Sequence, residues 1–166
     1  NGTLKNVFVY VKEGVSGSYP APSTPVVLDQ LGCWYAPHVF GIQVGQPLQI
    51  TNSDGTLHNV NSKATANKPF NIAQPVKNMK TEKKFTAPEI MVSFKCNVHP
   101  WMQAWGGVVS HPFFGISDEN GSFQIAGLPA GTYTIEAWHE KYGAQTQSVT
   151  VADGESKALE FTFKAQ

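Results

Sequence analysis

Turn signals break this chain so often that no long helix fits between them. GQP, NSDG, DENG, LPAG and ADG recur along it, each a cluster of the residues that reverse a backbone. Eleven prolines and fifteen glycines among 166 residues point the same way. The segments between turns are rich in β-branched and aromatic residues: NVFVYV, HVFGIQVG, PLQITN, IMVSFKC, GVVSH, GSFQIAG, GTYTIEAWH, TQSVTVADG and KALEFTFK. Short runs of this kind, regularly punctuated, predict an all-β chain of one large or two small sandwich domains. Residues 65–84 differ. They hold Pro69, Pro75 and several lysines without a clean period, which predicts a surface connection with at most a short helical turn.

Composition shifts near Ser110. Both cysteines, all three methionines and most lysines precede it, and acidic residues gather after it. Residues 31–109 carry an excess of lysine, the remainder an excess of acid, and the sum is zero. Neutral bulk charge gives no reason to expect a nucleic-acid partner. No apolar run reaches membrane-spanning length. The chain does not open on a secretory leader, so it reads as cytosolic or as a mature exported product. Two cysteines are too few for a disulfide scaffold.

The stretch CNVHPWM, Cys96 to Met102, follows the strand-like run IMVSF. Alone it leaves three readings open: a metal hairpin, a redox thiol, or an ordinary loop. The chain has no C-x-x-C, which argues against a structural zinc site, a thioredoxin-type dithiol and a haem attachment. Upstream, TNSDGTLHNV sets His58 just after a strand and a turn. One distant histidine followed by Cys, His and Met on one short loop is the donor set of a blue-copper centre. It supplies two imidazoles and a thiolate in a plane, with a weak axial thioether. Soft sulfur favours Cu(I) and imidazole serves both oxidation states, so an electron moves with little rearrangement. In this reading Cys96 ends a strand, His99 sits on the loop, Met102 opens the next strand, and His58 closes the site.

With those residues in place, the segment from about Tyr35 to Val109 resembles the cupredoxins, the plastocyanin and amicyanin family. YAPHVFGIQVGQPLQITN resembles the entry of such a domain, and the short CNVHPWM loop, with Pro after His, is most similar to amicyanin's. The resemblance implies a Greek-key β-sandwich holding one copper per chain, cycling between Cu(I) and Cu(II), with metal ligands His58, Cys96, His99 and Met102. It implies that Asn59 ties the two ligand loops together. It implies that His99 is the partly exposed ligand through which electrons leave, rimmed by Pro100, Trp101 and Trp34.

A second resemblance covers the rest. SDENGSFQIAGLPAGTYTIEAWH, with D-x-x-G-x-F and P-x-G-x-Y, is similar to the prealbumin-like, carboxypeptidase-regulatory-like sandwich, and GTLKNVFVYV resembles an early strand of that fold. The expected organisation is a copper domain over 31–109, inserted in or followed by a smaller sandwich made of 1–30 and 110–166. The expected function is that of a soluble, exported one-electron carrier, not an enzyme, in the periplasm or outside the cell. Any membrane tether would lie upstream of residue 1. Its partners would be redox proteins such as a cytochrome or a membrane oxidoreductase, acidic if the lysines of KNMKTEKK steer association. The bland reading of those lysines is a solvated face.

Three rivals stand beside the carrier. A copper storage or delivery protein would use the same ligands. A copper oxidase or nitrite reductase would need a second site with H-x-H pairs, which the chain lacks. An adhesion module would carry a degenerate site. Cys33, in QLGCWYAPH, is expected at the metal end with three fates open: a disulfide to Cys96, a direct or second-copper ligand, or a buried thiol beside the site. His38 should lie farther along the strand in a structural role. His111 reads as structural, and His139, near Glu136 and Glu140, offers only a thin second metal site.

Overall fold

A computed structural model describes residues 1–165. They contain thirteen strands and no helix: β1 (Phe8–Glu13), β2 (Val26–Leu31), β3 (Trp34–Ala36), β4 (Val39–Gln43), β5 (Leu48–Asn52), β6 (His58–Ser62), β7 (Asn71–Gln74), β8 (Lys80–Lys83), β9 (Glu89–Lys95), β10 (Gln103–Val109), β11 (Phe114–Ile116), β12 (Gly131–His139) and β13 (Gly143–Val151). The chain divides into two compact units, Asn1–Ser18 with Phe113–Gln166, and Tyr19–Pro112. These limits fall at other residues than the 30/31 and 109/110 limits read from sequence. VVLDQL, unassigned in that reading, is β2, and it pairs in parallel with β5 inside the second unit.

The discontinuous unit is one four-stranded sheet ordered β11-β1-β12-β13. Phe8, Val9, Tyr10 and Val11 are all buried. Burial on both faces, rather than alternation, explains why NVFVYV reads as an unbroken apolar run. GSFQIAG and KALEFTFK, both expected as strands, form none among the described residues.

The second unit packs two sheets, β4-β10-β9-β6-β7 and β3-β2-β5-β8. Parallel pairing of β4 with β10 and of β2 with β5 gives it a Greek-key sandwich topology. Leu28, Leu48 and Ile50 of one sheet and Ile42, Val60, Val92, Phe94, Ala104 and Val108 of the other form the core. Gly106 is required there. A Cβ at that position would meet the Phe40 ring at 2.7 Å, and Phe40 is its register partner on β4.

Residues 65–84, expected as a connection, supply two edge strands, β7 and β8. Both edges are short, β7 polar and β8 charged, the kind of composition that blunts a sheet edge and hides the period. Glu89 fixes the turn before β7 by accepting the backbone N–H groups of Thr65, Ala66 and Asn67.

Candidate metal centre

The topology gathers the sulfur and imidazole residues at one end of the second unit. β6 and β10 flank β9 in the same sheet, and His58 opens β6, Cys96 follows β9, and Met102 precedes β10. The 96–102 loop is closed by its own backbone: the Met102 amide donates to the His99 carbonyl at 3.0 Å and the Cys96 amide to the Met102 carbonyl at 3.3 Å. The His99 amide donates to Cys96 Sγ at 3.4 Å. Asn59 joins the two ligand segments, accepting the Asn97 amide on its Oδ1 at 2.6 Å.

His58 Nδ1 and His99 Nδ1 face each other at 3.1 Å, and Cys96 Sγ lies 3.8 Å from His99 Nδ1. Each of these two separations is one that an ion held between its pair of atoms would give. With metal–nitrogen and metal–sulfur bonds of about 2.0 and about 2.3 Å, they correspond to angles near ~100° and ~120° at the metal. His58, Cys96 and Met102 are 0%, 2% and 0% exposed, whereas His99 is half-buried. Imidazole and sulfur donors of this kind suit copper better than calcium or magnesium.

Asp54 sets the tautomer of His58. Its Oδ2 accepts from His58 Nε2 at 2.8 Å, which leaves Nδ1 with its lone pair turned toward His99. Such a carboxylate behind a ligating imidazole raises its basicity and fixes its ring. The same carboxylate accepts the Cys33 amide on Oδ2 and the Gly32 amide on Oδ1, both at 2.9 Å. The Cys33 amide is the main cause holding Asp54 at a pKa of about 2; burial opposes it, and the His58 and Gly32 N–H groups add to it. Tyr35, on the other side, donates its hydroxyl to the Asn59 carbonyl. Burial first, and then the neighbouring Cys96, push its phenol upward, so it stays a donor.

The structure adds a residue the four-ligand reading does not include. Cys33, His58 and His99 each offer a donor atom within 4.8 Å of the others. Cys33 Sγ approaches the outer nitrogen of His99, Nε2, at 3.9 Å. It addresses the other ring nitrogen from the one that Cys96 and His58 face. Both cysteines are free, Cys33 half-buried and Cys96 buried, so neither the disulfide nor the fully buried thiol describes Cys33. His38 stays outside the group, its Nδ1 3.0 Å from the Gln103 carbonyl on β10. His111 is buried, and His139 stacks on Tyr142 at 5.1 Å between ring centroids.

Sequence reasoning missed Asp54. Asp54 stood inside NSDG, which reads as a turn; its spacing of four before His58 was the available signal. Leu31 and Trp34, which flank the Gly32–Cys33 turn, and Val98 and Trp101, on either side of His99 in the ligand loop, are exposed. Trp101 packs edge-on to His99 at 5.3 Å and donates its indole N–H to the Cys33 carbonyl at 2.8 Å.

Residues 112–164 match the carboxypeptidase regulatory-like domain family. Among solved structures, similar chains include a copper-containing nitrite reductase from Thermus scotoductus SA-01, 22% identical over 60% of this chain and 25% of that one, with a TM-score of 0.48. A methionine variant of amicyanin in the Cu(I) state is 21% identical over 51% of this chain and 82% of that one, with a TM-score of 0.45. A purple cupredoxin from Nitrosopumilus maritimus is 22% identical over 51% of this chain and 98% of that one, with a TM-score of 0.42. The chain spans a quarter of the nitrite reductase's length. No curated protein matches it.

Proposed function

We propose that this chain is an exported, mononuclear type 1 copper protein that carries single electrons between redox partners, with His58, Cys96, His99 and Met102 as the ligands. The observation that carries this reading is the pair of opposed Nδ1 atoms 3.1 Å apart, with the sealed Cys96 sulfur 3.8 Å from one of them. Copper in this donor set would supply a one-electron couple whose two states need nearly the same geometry.

The residues have separate tasks. Asp54 orients His58, and the His99 amide fixes the Cys96 sulfur. Three buried donors exclude water. Half-buried His99 brings the ligand sphere to the surface beside exposed Trp101, whose ring packs edge-on to it, and an exposed aromatic there suits a docking face. Among the described residues no helix is long and apolar enough to cross a membrane.

The reading separates from copper storage by electrochemistry. A carrier gives one reversible one-electron wave and fast self-exchange; a storage protein does not. Met102 provides a second check. Met102→Leu keeps one copper per chain and raises the potential, because the weak axial ligand sets the balance of oxidation states more than the affinity. Metal analysis and voltammetry of the variant test this, and loss of copper would remove Met102 from the ligand set.

The partner is a redox protein with an acidic face. Lys77 and Lys80 are exposed beside Val76 and Met79, and Lys80 pairs with Thr51 near the metal end of β5. Lys83 lies farther along, opposite Leu48, with its Nζ 5.3 Å from the Phe70 ring centroid. Reversing Lys77 and Lys80 to Glu is expected to slow electron transfer to such a partner at low salt. The deficit fades as ionic strength rises, since exposed charges are screened over about 8 Å at physiological salt. Equal rates at low salt would leave these lysines as a solvated face.

A further inference from the structure

Of the five sulfur and imidazole side chains at this end, three are sealed from solvent and two are not. His58, Cys96 and Met102 are buried; His99 and Cys33 alone of the five are half-buried. Cys33 therefore stands at the mouth of the site, its Sγ 3.9 Å from His99 Nε2, in mutual reach with His58. Its position is held from both sides. The Cys33 amide is bonded to Asp54, the carboxylate that also orients His58, and the Cys33 carbonyl accepts from Trp101 on the ligand loop. Gly32 and Cys33 form the two-residue turn between β2 and β3, with φ of 63° and 59°. Both central residues are left-handed, as in a type I′ hairpin turn, where Asn and Gly are the usual occupants. A cysteine there pays a conformational cost that a glycine would avoid.

We propose that Cys33 is the capture ligand through which copper enters: it takes incoming Cu(I) from a soft donor, together with His99 Nε2, and passes it inward to Cys96. The proposal rests on the copper reading above. Cys33 is not a fifth resident ligand, because it faces Nε2 while Cys96 and His58 face Nδ1. Thiolate and imidazole are suitable hosts for Cu(I), and ligand exchange at a sealed site needs a first foothold outside it. The balance is simple. Capture breaks the donor–copper bond and forms Cys33 S–Cu, the thiol proton going to the released donor. Handover breaks Cys33 S–Cu and forms Cys96 S–Cu, the Cys96 proton returning to Cys33. Copper stays Cu(I) throughout, so no oxidant or reductant is required.

The test uses the full metal-free chain and Cu(I) bicinchoninate, whose colour fades as copper is taken. Wild type, Cys33→Ala and Cys33→Ser are compared by stopped flow, then oxidised and analysed for copper and visible absorption. Both variants are expected to finish with one copper and the wild-type spectrum, but to take it up more slowly by about tenfold or more, because neither methyl nor hydroxyl is a ligand for a soft ion. Uptake at the wild-type rate would overturn the proposal. So would a variant that ends without copper, which would make Cys33 resident. A second measurement needs no substitution at Cys33. In Cys96→Ser, one equivalent of Cu(I) bicinchoninate should slow alkylation of Cys33 by iodoacetamide, and unchanged alkylation would also refute capture. A wild-type chain that binds copper without colour would instead defeat the blue-copper reading itself.

Discussion

Cys96→Ser is expected to abolish the visible charge-transfer absorption of the copper-loaded chain. The band would come from thiolate sulfur donating into Cu(II), and Cys96 is the sulfur that faces His99 Nδ1. Serine preserves the local shape: the Cys96 amide still reaches the Met102 carbonyl and the Met102 amide the His99 carbonyl, so the loop persists. What changes is the donor. A serine hydroxyl is hard, stays protonated, and cannot replace a thiolate for copper. Copper affinity should fall by more than about a hundredfold, since losing a supporting residue behind a ligand alone costs 10–100-fold. Visible spectra and competitive metal titration of the variant beside wild type check both parts. A retained band would assign the colour to another sulfur, with Cys33 first in line.

Phe94→Ala is expected to be the most destabilising single change in the second unit, at about 3–5 kcal/mol. Phe94 is completely buried. Its ring meets Phe40 at 5.6 Å, Phe70 at 6.2 Å and Phe85 at 6.4 Å between centroids. Phe40 lies on β4, Phe85 just past β8, and Phe70 just before β7, so one ring ties both sheets of the sandwich. Truncation leaves a cavity that the flanking strands cannot close without breaking their ladders. Phe94 also stands on β9 two residues before Cys96, which follows the strand, so the loss should weaken copper retention on heating. Thermal unfolding of the metal-free chain measures the effect, and a midpoint within a few degrees of wild type would show that this cluster can collapse around the gap.

The architecture was legible where a strand pattern was local. PLQITN and IMVSFKC announced β5 and β9 through their β-branched residues, and the turn clusters announced the breaks. The edge strands β7 and β8 were not, because the lysines of β8 and the prolines flanking β7 keep an edge unpaired rather than fill a core. KALEFTFK misled in the opposite direction. Its alternation is strand-like, yet what reaches it from the sheet is Gln145 and Gln147 side chains on the Thr162 and Glu160 carbonyls rather than a ladder.

The site divides in the same way. Cys96, His99 and Met102 sit within seven residues, and His58 follows a strand and a turn, so the approach of His58 and Cys96 to His99 could be read from spacing. Asp54 and Cys33 could not be given roles. Their importance lies in a carboxylate that bonds one imidazole and two amides of a distant hairpin, a relation that exists only through space. Strand direction placed Cys33 at the metal end but could not say which edge of His99 it would face.

The most direct measurement is a titration of the metal-free chain with Cu(II), followed by visible absorption. The account predicts an intense thiolate-to-copper band that grows linearly and stops at one equivalent per chain. A chain that binds copper and stays colourless, or one whose band keeps growing to two equivalents, would contradict a mononuclear type 1 centre.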